Sequence, residues 1–232
     1  MSSANASAAG VVPLGTLTDA ELAVLARPGA RVGPRPVMPA WSRLDPDQRV
    51  VAVRDARACL STRRLLGPET PARPDGPHDL RSVLALREAA TAVVAVARVH
   101  PRGRDNWYAH VVRNVVLLER VSVDGVHFFA LTSAPGLADL VVAAALHPDT
   151  PTAIFPASGS AEAETDWLRA EVALHSARTT RLLAWVSSPG GAWCATPGDV
   201  SAPCVPVVPA TADRLLRGGV VDLVREEVAR DR

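Results

Sequence analysis

The sequence predicts an α+β fold, with mixed α/β character: antiparallel sheet with helices packed on it, built from two degenerate β-β-β-α units and preceded by an N-terminal helical segment. Three observations carry this. Apolar, β-type runs such as "TAVVAVARV" and "TTRLLAWVSS" are punctuated by turn residues. The Asp124-Gly125 pair lies between two apolar runs, where Asp-Gly signals a hairpin. The order strand, turn, strand, strand, helix occurs over residues 91–147 and again over 179–228. Common markers accompany the repeat: Thr91 with Thr180, Trp107 with Trp193, and "ADLV" with "VDLV" in the closing helix.

Taken in order, residues 1–15 read as a disordered tail, and residues 16–232 as a single quasi-symmetric domain whose first part, 16–90, is helical. "LTDAELAVLAR" opens that part, with Thr18 and Glu21 at capping-box spacing. A second, longer helix starts at Asp45-Pro46 and stops at Gly67-Pro68. "DLRSVLAL" gives a short helix before the sheet. "TAVVAVARV" is the first strand of the first unit, the ribbon from Trp107 to Thr132 supplies the next two, and "SAPGLADLVVAAALHP" is its helix. Residues 148–178 read as a connecting loop and a helix around "EAETDWLRAEVAL". The second unit follows as "TTRLLAWVSS", "AWCAT", "CVPVV" and the helix "TADRLLRGGVVDLVREEVAR".

With 232 residues and 48% hydrophobic content, the chain can bury a core without disulfides. Its net charge of +1 gives no bulk field to draw it onto nucleic acid or an anionic membrane. All 25 basic residues are arginine, a mark of a GC-rich genome that also excludes a P-loop or a Schiff-base lysine. The odd count of 3 cysteines argues for a reducing compartment, with a Cys194–Cys204 bridge left open. The N-terminus lacks the charged and apolar regions of a signal peptide, and no run approaches the ~20 apolar residues of a membrane helix. A cytoplasmic protein without membrane insertion is expected.

Chemistry-bearing motifs are scarce. Neither CxxC, HExxH nor histidines at i,i+4 occur, so no metal or other cofactor is expected. With the ribbon unbroken up to Asp124-Gly125, His127 pairs with Ser122 and His110 lies on the order of 40 Å from it, too far for a shared ion unless the strand breaks. Cys194, the one candidate nucleophile, reads as a small core residue. Asp45 and Asp47 suit a helix start and not an acid/base pair. Arg54, Arg57 and Arg64 form a basic stripe such as a helix-turn-helix reader would carry, but interspersed aspartates favour a solvated face, and nucleic acid is not the expected partner.

The ribbon holds the candidate site. With a two-residue turn at Asp124-Gly125, Leu117, Glu119, Val121, Val123, Val126, Phe128 and Ala130 face one way, toward the helices, with Glu119 paired or near an edge because a lone buried carboxylate is costly. Leu118, Arg120, Ser122, His127, Phe129 and Leu131 face the other way. Their mix of large apolar groups with arginine and histidine suits a partner-binding surface, and cover by the N-terminal helices is the competing outcome.

The opening "LTDAELAVLA", the helix ending "ARACLSTRRLL" and the paired sheet-and-helix halves resemble the ESX secretion-associated EspG family of actinobacterial type VII secretion chaperones. The resemblance lies in layout and covers most of the chain, which looks shorter than typical members. It implies a quasi-twofold fold and cytosolic binding of hydrophobic secretion substrates, in mycobacteria the PE-PPE heterodimers. The reading therefore favours a non-catalytic protein-binding module, a chaperone or adaptor. Two alternatives stay open: a small biosynthetic enzyme or ligand-binding protein using dispersed residues such as His100, His110, Arg113 and Cys194, and a helix-turn-helix regulator.

Overall fold

A computed structural model of the chain describes residues 10–25, 32–66, 79–100, 103–146, 168–177, 180–188, 191–195 and 205–230. The chain begins with strand β1 (Val12–Thr18) and helix α1 (Asp19–Leu25), then α2 (Pro46–Thr62) and α3 (Val83–Ala89). Strands β2 (Ala92–His100), β3 (Gly103–Val112), β4 (Val115–Val121) and β5 (Val126–Ser133) lead into helix α4 (Leu137–Leu146). Strands β6 (Leu168–Ser176), β7 (Thr180–Ser188), β8 (Gly191–Ala195) and β9 (Val205–Val207) lead into helix α5 (Pro209–Arg230). The nine strands of the described residues form one antiparallel sheet, in the order β1-β5-β4-β3-β2-β6-β7-β8-β9. The fold is α+β.

Read outward from the central β2–β6 pair, the sheet runs β3, β4, β5 on one side and β7, β8, β9 on the other. Each half ends in a helix, and α4 and α5 pack together against the central strands. Each unit is thus β-β-β-β-α, one strand more than the sequence suggests. In the first unit the extra strand arises because the ribbon folds back at Arg113-Asn114, where Arg113 has φ 55° and Val112 pairs with Val115. In the second it is β6, expected as helix. Its Ala, Glu and Leu favour helix locally, but Ala170, Val172 and Leu174 alternate into the core as β6 completes the bonding of β2. Residues 148–167 of the expected loop and helix lie outside the described residues.

Residues 12–15 of the expected tail belong to β1, which pairs with β5 through an irregularity between Pro13 and Gly15; residues 1–9 lie outside the described residues. On β1, Arg63 Nη2 donates to the Thr16 carbonyl and the Thr18 amide donates to Glu21; β9 is three residues long and contains Pro206.

Each face of the sheet has its own core. Val94, Val96, Trp107, Leu118 and Ala130 pack with Leu137 and Val141 of α4 and Leu216 and Val220 of α5. On the opposite face Val93, Tyr108, Leu117, Val121 and Phe129 pack with Leu17, Leu22, Leu60, Leu84 and Leu86 from the N-terminal segment. Each fully buried leucine contributes ~1.5–3 kcal/mol, so the N-terminal segment is held by several such anchors. Its caps follow the sequence: Thr18 and Glu21 bond reciprocally before α1, and Asp45 and Gln48 before α2.

Candidate functional site

The hairpin between β4 and β5 sets the geometry of the site. Its loop has three residues, Val123 to Gly125: the Ser122 amide donates to the Val126 carbonyl at 3.0 Å, and Gly125 takes φ 71°. A third loop residue in the left-handed region is a common hairpin solution. His127 therefore pairs with Val121, not Ser122. Because side chains alternate, this one-residue change turns all of β5 over relative to β4.

The six residues expected on one partner surface are accordingly divided. Leu118 lies on the α4/α5 face and is fully buried, and Arg120 packs its guanidinium over Phe128 on that same face. His127, Phe129 and Leu131 lie on the N-terminal face, where Phe129 is core and Leu131 packs against it. Ser122 is in the turn, its hydroxyl accepting from the Val126 amide at 3.1 Å. The ribbon does not form one exposed face; both of its faces are covered by helices of the same chain.

The turned strand and the break at Arg113-Asn114 together assemble a buried cluster that sequence spacing puts far apart. His127 Nε2 lies 2.7 Å from Asp19 Oδ1, and its Nδ1 2.6 Å from Glu119 Oε1. The other Glu119 oxygen is 2.9 Å from His110 Nε2 and 3.3 Å from Arg87 Nε. His110 and His127, expected tens of ångströms apart, share one carboxylate. Asp19 also accepts from the backbone amides of Ala40 at 2.7 Å and Trp41 at 2.9 Å, while its own amide donates to the Gly125 carbonyl. All five side chains are buried, His127 and Glu119 at 0% exposure.

Both ring nitrogens of His127 face carboxylate oxygens, which only accept, so both carry protons and the ring is an imidazolium. Burial opposes that charge, but the bonds to Asp19 and Glu119 outweigh it and raise the histidine above its usual value. Burial likewise pushes Glu119 up, yet the Arg87 charge and the bonds from His110 and His127 hold its carboxyl well below the usual range. The two carboxylates, Asp19 and Glu119, thus face the His127 imidazolium and the Arg87 guanidinium, with His110 on the same Glu119 oxygen as Arg87. Burying charge is tolerable only when it is paired this way. The cluster ties α1, residues 40–41 and α3 to β3, β4 and β5. An imidazolium with no solvent face, spent on two carboxylates, has no free nitrogen to offer a bound molecule.

The remaining sequence candidates do not converge. His100 pairs with Gly103 at the far end of β2, Arg113 is exposed in a turn, and Cys194 pairs with Trp185 in the other half of the sheet. Arg54 and Arg57 are exposed on α2, Arg54 bonding to Asp55 at 3.0 Å, but Arg64 lies past the helix end with φ 56°, so the stripe is interrupted. Cys59 is exposed, and Cys204 lies outside the described residues. Among the described residues no group of three or more His, Cys, Asp or Glu could hold a metal, and no helix is long and apolar enough to cross a membrane.

A missed surface lies on α2. Only Ala56 and Leu60 of its 17 residues are buried, so it rests on α1 by a narrow stripe. Val50 is 70% and Val51 47% exposed, one helical turn from Arg54. The helical wheel puts Ala52, Val53, Ala56, Cys59 and Leu60 on one side, which includes both buried residues and leaves Val50 and Val51 off it, an exposed pair not singled out by the sequence reading. A scan of protein families finds no family that matches this chain, and a search of the curated proteins finds no match.

Proposed function

We propose that this protein is a non-catalytic binding module, a chaperone or adaptor that holds an apolar segment of another protein against α2. The observation that carries the reading is the outward apolar pair Val50 and Val51 on a helix anchored by two buried residues and locked by its own capping box. The pair lies one helical turn from Arg54, and arginine is among the residues enriched at interface centres. Two further features support it. The histidine–carboxylate cluster is consumed in holding the fold, and the described part of the edge strand β9 is three residues long with Pro206 at its centre, which disfavours capture by strand addition there. A hydrophobic secretion substrate, as the layout resemblance suggests, is the occupant we favour.

The test is co-expression with proteins encoded beside this chain. Wild type should co-purify with one of them, and Val50→Asp with Val51→Asp should abolish capture while leaving the thermal midpoint near wild type, because exposed substitutions usually change stability by only about ±0.5 kcal/mol. Undiminished capture by the folded double variant would place the binding surface elsewhere. A chain that captures none of its neighbours would remove the support for the chaperone reading.

A further inference from the structure

Helix α5 presents a second outward stripe, on the side opposite its buried residues Ala212, Leu216, Val220 and Leu223. Its central part is Arg214, Leu215, Gly218, Val221 and Asp222, with Leu215 49% and Val221 41% exposed, and the exposed Arg225 continues it one turn further. The spacing 214, 218, 221 and 215, 218, 222 is the alternation of three and four that keeps residues on one helix face. The stripe is self-complementary. In an antiparallel pair of such helices centred on Gly218, the residue four before the centre meets the residue four after it, which sets Arg214 against Asp222 twice. The residues three before and three after are Leu215 and Val221, so the apolar positions also meet.

Gly218 itself has no internal explanation. A Cβ built there meets nothing within 4 Å, and glycine in a helix interior weakens the helix relative to alanine. At a crossing, however, a missing side chain lets two backbones approach closely. Asp222 has an Arg225 nitrogen 3.6 Å away, but both side chains are more than half exposed, so this contact leaves the carboxylate open to a stronger partner.

We propose that two copies of the chain associate about a twofold axis through the outward stripe of α5, with Gly218 at the helix crossing and Arg214 of each copy paired with Asp222 of the other. Such an interface uses the same patch on both copies and closes at two. It lies on a different element from α2 and is independent of the partner assigned there.

Sedimentation equilibrium over a dilution series tests it. Wild type should approach twice the chain mass of 24.4 kDa, with association weakening as salt rises. Arg214→Asp and Asp222→Arg should each sediment as monomers, because each sets like charges together, and the double exchange should restore the dimer. Gly218→Gln should be monomeric while melting higher than wild-type monomer, a combination that general damage to the helix would not produce. Circular dichroism establishes that each variant is folded. A wild type of 24.4 kDa at every concentration, dimers indifferent to the single reversals or to Gly218→Gln, or a folded double exchange that stays monomeric would overturn the proposal.

Discussion

Replacing Glu119 by glutamine probes the cluster with almost no change of shape. Glu119 is fully buried and serves three partners: His127 at 2.6 Å, His110 at 2.9 Å and Arg87 at 3.3 Å. The amide keeps one acceptor and gains an NH₂, which must face either the His127 Nδ1 proton or the His110 Nε2 proton and the Arg87 guanidinium. One donor is therefore left against another donor, and two buried cations are left with Asp19 as the only carboxylate of the cluster. Hydrogen bonds to charged groups contribute ~1.5–3 kcal/mol each, and removing one partner of a buried ion pair costs ~3–5 kcal/mol. Since neighbouring losses do not add, we expect a total near ~3–5 kcal/mol. Urea titration at about pH 6, with tryptophan fluorescence, should show the midpoint falling at unchanged slope. A loss below ~1 kcal/mol, the value of an exposed pair, would refute the reasoning and mean that water reaches these groups.

Two further outcomes follow from the same geometry. Glu119 has a lowered folded pKa, so its contribution is present above its unfolded value and fades as pH falls through the folded one; His127 has a raised folded pKa, so its contribution is full below its unfolded value and fades as pH rises through the folded one. Unfolding free energy should therefore be highest between about pH 4.3 and 6.5 and decline on the alkaline side, and His127→Gln should remove most of that alkaline decline; a variant with an unchanged decline would show that His127 does not cause it. Gly125→Ala should cost ~2–5 kcal/mol, combining a left-handed φ with overpacking, because the added Cβ would lie 2.5 Å from both Asp19 Oδ2 and the Ala40 Cβ. A cost under ~1 kcal/mol in urea titration would mean that the hairpin loop moves freely away from α1.

Much of the fold is legible in the sequence because local chemistry states it. The Thr18–Glu21 and Asp45–Gln48 caps, the apolar run of β2, the Asp-Gly turn and the closing helices each carry their own signal. The misread elements are those where tertiary partners override local preference. β6 is built from helix formers and becomes a strand beside β2, while β1 contains Pro13 and Gly15, which weaken any strand pattern. The cluster was illegible for a sharper reason. It depends on one extra residue in the Val123–Gly125 loop, without which His127 turns away from Glu119, and on a fold-back at Arg113-Asn114, without which His110 lies far from it. The polar pair Arg113-Asn114 between two valine pairs was the available sign of that turn.

The proposed binding module is carried by the outward Val50–Val51 pair and supported by catalytic-type side chains being spent inside the fold. The measurement that tests this most directly is nitrogen-15 NMR of the histidine rings at about pH 6.5, the usual histidine value. The account predicts two ring N–H resonances for His127, both shifted downfield by their bonds to Asp19 and Glu119 and both slow to exchange with solvent. A His127 ring with a single proton, or with protons exchanging as fast as an exposed histidine's, would contradict it.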